Sequence, residues 1–259
     1  MKSILISHMS WTEYKEYVEN NDTIIIPTGV MEEHGLHNPL GTDCIIAEKC
    51  AQLIGERASV AVAPTLPYGV APGMTNFAGT ISLEPMLYRK ILISYAESYI
   101  KTGIKRILFI NGHGGNSGAL SAVCQDLYAA HGTVAVHNEW WFILPKLDPE
   151  LPCGDHGGLF ETSCMLALAP HVVDMSKAKN CPEMEFTSGI KRTKGWRFRN
   201  VAIDLQIPLD TFQKVGNLGP SPLAASEDIG RKMVEKYVNY NVELLGEMKK
   251  ITFKKRCVV

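Results

Sequence analysis

Between Thr28 and Asp43 the chain reads TGVMEEHGLHNPLGTD, which gathers Glu32, Glu33, His34, His37 and Asp43 into one stretch. Glu32 and His34 are two apart, so in extended backbone their side chains leave on the same side. Asp43 closes the stretch just before an apolar-periodic segment. A carboxylate, an imidazole and a second carboxylate converging on one loop suit a hard-to-borderline divalent cation. The plainer alternative is a polar surface loop in which Asp43 or Thr42 only caps the helix that follows.

Two more clusters have similar chemistry. The apolar run RILFI leads into NGHGGN at 111–116, whose glycines admit close backbone approach and leave His113 at the carboxyl end of a strand. This is not the spaced G-x-G-x-x-G, and no acidic residue ends the next strand TVAVH, so a dinucleotide site is poorly supported. The third cluster is GDHGGLFETS at 154–163. It sets His156 between glycines, beside Asp155, and places Glu161 at the start of the apolar stretch FETSCMLALA. A carboxylate in that setting needs a cation, a metal or a proton, unless it only faces the dipole of a helix start.

The elements that must position these clusters alternate. Trp11 to Asn20 reads as a helix opened by Ser10 with Glu13 three residues on, a capping box. Strands are expected at 23–27, 59–65, 106–111 and 133–137, with helices at about 44–57, 84–102 and from Asn116 or Ser117 to about 130. Short apolar strands alternating with helices predict an α/β fold of three layers, a mostly parallel central sheet with helices on both faces. Beyond this, 158–168 reads as a helix, 171–174 as a strand or its remnant, and Ser221 to roughly Leu245 as a closing helix with Pro222 in its first turn. The stretch GIKRTKGWRFRN at 189–200 is basic and aromatic, and is expected to be a solvated hairpin or a subunit contact.

Composition narrows the class. The chain has 259 residues, 46% hydrophobic, enough for one large core or at most two small domains. A net charge of -1 gives no electrostatic footprint for nucleic acid or an anionic membrane. No apolar run reaches the length of about eighteen residues that a membrane span needs. The start MKSILISHMSWTEY has no long apolar region with a cleavage site, and the seven cysteines are odd in number without a C-x-x-C. A cytoplasmic protein with reduced thiols is the expectation.

Taken in register, Glu32-x-His34-Gly35-x-His37, Thr42-Asp43, NGHGGN and His156-Gly157-Gly158-x-x-Glu161-Thr162-Ser163 resemble the creatininase (creatinine amidohydrolase) family. The resemblance extends through AGTISL at 78–83 to GPSPLAASEDIGRKM near the C-terminus. It implies a single-domain hydrolase, spanning 1–259, that acts on a small, usually cyclic, amide through a hydroxide bridging two divalent ions, zinc, manganese or iron. One ion would be held by Glu32, Asp43 and His113, the other by His34 and Asp43. In creatininase a glutamate two residues after the motif's histidine completes the second set. Here that position is Gly115, so Glu161 is the candidate and creatinine itself is not the expected substrate. His156 matches the family's proton-transfer histidine, with Asp155 beside it, and Trp140 or Trp141 would cover the substrate. Glu33 and Leu36 stand where many relatives have glutamine and proline. The resemblance further implies a homo-oligomer, a hexamer. It leaves open a C–C hydrolase acting on an oxidised inositol, and a non-catalytic small-molecule binder on the same scaffold.

Overall fold

The computed structural model of this protein describes residues 3–151, 153–181, 184–187, 189–192, 196–203, 205, 207–211 and 214–252. Its frame is a four-stranded parallel sheet of β1 (Thr23–Thr28), β2 (Ala61–Val62), β3 (Arg106–Asn111) and β4 (Val134–Asn138), in the order β2-β1-β3-β4. Residues alternate between the two faces of a strand, and here both alternations are apolar. Ile25, Leu108 and Ile110 pack into one core with α2 (Thr42–Ala58), α5 (Trp140–Leu147), α6 (Leu159–Leu168) and α7 (Glu227–Lys250). Ile24, Ile26, Ile107 and Phe109 pack into the other with α1 (Trp11–Asn20), α3 (Pro85–Ile100) and α4 (Ser117–His131). A sheet buried on both faces explains why β1 and β3 read as unbroken apolar runs. Each fully buried isoleucine contributes about 1.5–3 kcal/mol, which makes the strand ends a firm base for loops.

The capping box of Ser10 and Glu13 is present at α1. Four expectations need correction. β2 is short because Pro64 has no amide to extend the ladder. Residues 170–172 form a 3-10 turn started by Pro170 instead of a strand. The closing helix begins at Glu227, because Ser226 accepts from the Ile229 amide and Glu227 and Asp228 face the helix dipole; Pro222 belongs to a separate turn ahead of it. The basic stretch extends a simple hairpin into a four-stranded antiparallel sheet of β5 (Met184–Thr187), β6 (Ile190–Arg192), β7 (Trp196–Phe198) and β8 (Val201–Ala202). Its last turn holds Arg199 and Asn200 at φ 48° and 65°, the left-handed pair that joins tight antiparallel strands. Residues 193–195 of that stretch lie outside the described residues. Among the described residues no helix is long and apolar enough to cross a membrane.

Candidate metal centre

From β1 the chain leaves through α2 to β2 at one edge; from β3 it leaves through α4 to β4 at the other, with α2 and α4 on opposite faces. The connections therefore diverge at the carboxyl ends of β1 and β3, the point where open α/β sheets form a ligand crevice. All three clusters meet there. Glu32 and His34 arrive on the extended segment after β1, Asp43 in the first turn of α2, and His113 just past β3. His156 and Glu161 come from the segment that opens α6. Asp43 makes no cap hydrogen bond; Gly41 is the residue ahead of the helix. Its carboxylate is turned inward instead.

Asp43 stands between the two histidines. Its Oδ1 is 2.9 Å from His34 Nε2, and its Oδ2 is 2.9 Å from His113 Nδ1. Glu32 Oε2 lies 3.1 Å from His113 Nδ1, and Glu161 Oε2 lies 3.5 Å from His34 Nε2. The far nitrogen of each ring is occupied: His34 Nδ1 lies 3.0 Å from the Glu32 carbonyl and His113 Nε2 lies 3.0 Å from the Val70 carbonyl. A carbonyl only accepts, so those nitrogens hold the protons and the centre-facing nitrogens are left with lone pairs.

Lone pairs facing carboxylate oxygens repel unless a cation sits between them. Glu32 Oε2 and Asp43 Oδ2 are indeed buried without a hydrogen bond. Ligand atoms bound to one ion at about 2.0–2.2 Å lie about 3–3.5 Å apart, and the contacts of 2.9 and 3.1 Å at His113 are of that size. The residues present therefore fit a divalent ion in each of two groups, Glu32–Asp43–His113 and His34–Asp43–Glu161. Without metal, protons held within the cluster offset its carboxylates. Burial opposes charge on both rings, but Asp43 and Glu161 around His34, and Glu32 and Asp43 around His113, raise both well above the ordinary histidine range. Burial likewise opposes ionisation of Glu32 and Asp43, yet the histidines hold both below the usual carboxylate range. Glu161 goes the other way, pushed up to about 7 by burial and by its acidic neighbours Asp155 and Asp43.

Gly115 shows why a glutamate at that position is not part of this centre. A Cβ there would come within 2.0 Å of the Val70 carbonyl and 2.6 Å of His113 Nε2. Asn116 explains the tightness: its side chain accepts from the Val70 amide and donates to the Gly29 carbonyl, tying the loops after β1, β2 and β3 together. Asn111 adds to this, its Oδ1 accepting from the His113 amide while its Nδ2 donates to the buried Glu139.

A cavity of about 550 Å3 opens onto the centre, walled by Met74, Trp141, Phe142 and His156. Of the two tryptophans only Trp141 lines it; Trp140 belongs to the core beneath. Asp155 is not seated on His156 as its position beside it suggests. Its Oδ2 accepts from the Phe160 amide at the start of α6, and burial pushes it up to about 6. The ring of His156 instead meets Glu33, Nε2 to Oε1 at 3.1 Å. No sequence motif assigns Glu33 a role here, although the alternation that pairs Glu32 with His34 already sends the residue between them elsewhere. His37 is also no part of the centre; it binds Thr162 and helps dock the loop on α6.

Comparison with known proteins agrees with this geometry. Residues 7–245 match the creatininase (creatinine amidohydrolase) family pattern. The chain belongs to the creatininase family. The creatinine amidohydrolase of Pseudomonas putida is 30% identical over 71% of this chain and 79% of that protein. The mycofactocin precursor peptide peptidase of Mycobacterium tuberculosis is 35% identical over 57% of this chain and 59% of its own length. A 3-dehydro-scyllo-inosose hydrolase of Thermotoga maritima is 28% identical over 88% of this chain and 70% of its own. A crystal structure of creatininase superposes with a TM-score of 0.80 at 25% identity, covering 97% of this chain and all of that one. Other creatininase structures of the same fold are described as Mn and Zn–Zn forms. These relatives are hydrolases, and this member of the creatininase family is a metal-dependent hydrolase with a mostly parallel sheet between helices.

Proposed function

We propose that this creatininase-family chain hydrolyses a small amide, a cyclic amide first of all, using two divalent ions. One is held by Glu32, Asp43 and His113, the other by His34, Asp43 and Glu161. The reading is supported above all by Asp43, whose two oxygens each face a different histidine at 2.9 Å. Mixed histidine and carboxylate ligation suits zinc, manganese or iron. Bound there, such a pair supplies a Lewis acid for the scissile carbonyl and a water acidic enough to attack near neutral pH.

The chain's own residues do the rest. Asp43 sets the spacing of the pair and Glu161 stands in for the glutamate that Gly115 cannot supply. Trp141 and Phe142, on the cavity wall, hold the apolar part of the substrate. His156, at the cavity wall, passes a proton to the departing group. The test is elemental analysis together with a hydrolysis screen on creatinine, other cyclic amides, short peptides and an oxidised inositol, each with zinc, manganese and iron. Close to two ions per chain and turnover of an amide other than creatinine are expected. No bound metal and no activation by any of the three overturns the reading. Turnover of the inositol alone selects the C–C hydrolase instead.

The same reading includes a cytoplasmic homo-oligomer, a hexamer by analogy with the family. The sheet of β5 to β8 supports it, because Phe198 and Val201 are left exposed beside Arg197 and Arg199. Light scattering is expected to give a multiple of 28.6 kDa at micromolar concentration. A clean monomer removes this part of the proposal.

A further inference from the structure

His156 is held on three sides. Its backbone pairs with Leu218, the amide donating to the Leu218 carbonyl at 3.0 Å and the Leu218 amide donating back at 2.7 Å. Its ring packs on His34 with centroids 4.4 Å apart. The third side is Glu33, whose carboxylate lies almost wholly inside the protein. Glu33 Oε2 accepts from the Gly35 amide at 3.0 Å, and Oε1 lies 3.1 Å from His156 Nε2. Gly216 closes over this carboxylate so tightly that a Cβ there would sit 1.9 Å from Oε2. The other ring nitrogen, Nδ1, points toward the centre, 3.9 Å from Glu32 Oε2.

We propose that Glu33 is the positioning residue of this site: it fixes a proton on His156 Nε2 and so presents Nδ1 to the substrate. The proposal rests on the proton-transfer role given to His156 above. Oε2 already accepts the Gly35 N–H, and Oε1 faces Nε2 as a second acceptor, so Nε2 supplies the hydrogen. Nδ1 is then the nitrogen that takes and returns a proton in the cavity. Which nitrogen of a histidine works is set by the bond the other one makes.

The chemistry of the amide makes the test sharp. In Glu33→Gln the Gly35 N–H still demands an oxygen, so the side-chain NH2 is turned toward His156. That NH2 only donates, and Nε2 must become the acceptor, which moves the proton to Nδ1. The experiment uses histidine labelled with 15N in zinc-loaded, sedimented protein, read by solid-state NMR at alkaline pH. The His156 signals are identified by their loss in His156→Gln. Wild type is expected to show a protonated Nε2 and a bare Nδ1, and Glu33→Gln the reverse. On the best amide of the hydrolysis screen, Glu33→Gln is expected to lower kcat roughly 10–100-fold with KM and metal content unchanged. Added to His156→Ala, it is expected to cost nothing more, which a merely structural role would not produce.

A bare Nε2 in the wild type overturns the proposal without any variant. So does an equal loss from Glu33→Gln with and without His156. If His156→Ala itself leaves turnover unchanged, the proton-transfer role fails, and the NMR result still decides whether Glu33 sets the ring.

Discussion

Asp43→Asn is expected to leave the protein without bound metal and without turnover, whereas His156→Ala keeps both ions and loses only rate. Among the described residues Asp43 is the one side chain with an oxygen on both His34 and His113, at 2.9 Å in each case. An asparagine keeps the shape but removes a charge that the two proposed ions would share, and its NH2 presents a donor where a ligand is needed. His156 lies at the cavity wall, and its loss is expected to slow the reaction about 10²–10⁴-fold, the usual effect of a positioned acid or base. Glu161→Gln falls between them, losing the ion nearer His34 and keeping the one at His113. Elemental analysis and steady-state kinetics on the three variants check this. His156 also lies close to Glu32 and His34 as a third group able to hold an ion. Metal lost from His156→Ala but kept in Asp43→Asn would show that the roles are reversed.

The gain in thermal stability from metal is expected to grow as pH rises from about 5 to 8. In the metal-free protein the raised histidines His34 and His113 contribute stability below their unfolded pKa and lose it as pH rises through the folded one. Glu161, pushed up to about 7 by burial, likewise makes the empty site less stable as it ionises. Each of these groups must shed its proton to bind an ion, so metal affinity moves the opposite way and strengthens with pH. At a free metal concentration a thousandfold above Kd the stabilisation is about 4 kcal/mol. For a chain of this size that is on the order of 10 °C in Tm. Paired melts with zinc and with chelator across the pH range measure the gap. A gap that stays constant would mean that no proton is displaced, and that these ligands are not the ones bound.

Much of this site can be read in the sequence because its ligands are local signals at strand ends. The runs TIIIP and RILFI announce buried strands, and Glu32, His34, Asp43 and His113 follow them directly. Glu161 was legible for a different reason, as a carboxylate in an apolar helix start that burial would penalise unless a cation met it. What escaped was contact between segments far apart in sequence. Nothing in GDHGG tells whether His156 leans on Asp155 or on Glu33, 123 residues away. The choice depends on the amide of Phe160 taking Asp155 first, which only the start of α6 determines. Trp140 and Trp141 were indistinguishable as letters, since which one faces the cavity follows from how α5 lies on α7. The four-stranded β5 to β8 sheet was hidden by polar, weakly alternating strands.

The protons on the far nitrogens of His34 and His113 are taken by the main-chain carbonyls of Glu32 and Val70. Main-chain oxygens cannot be substituted away. The orientation of these two rings is thus insulated from genetic drift in a way that a carboxylate partner, such as Glu33 for His156, is not. Over evolutionary time the centre can keep its electronic character while the walls at Trp141 and Phe142 vary, so new substrates can be acquired without rebuilding the ion-holding apparatus.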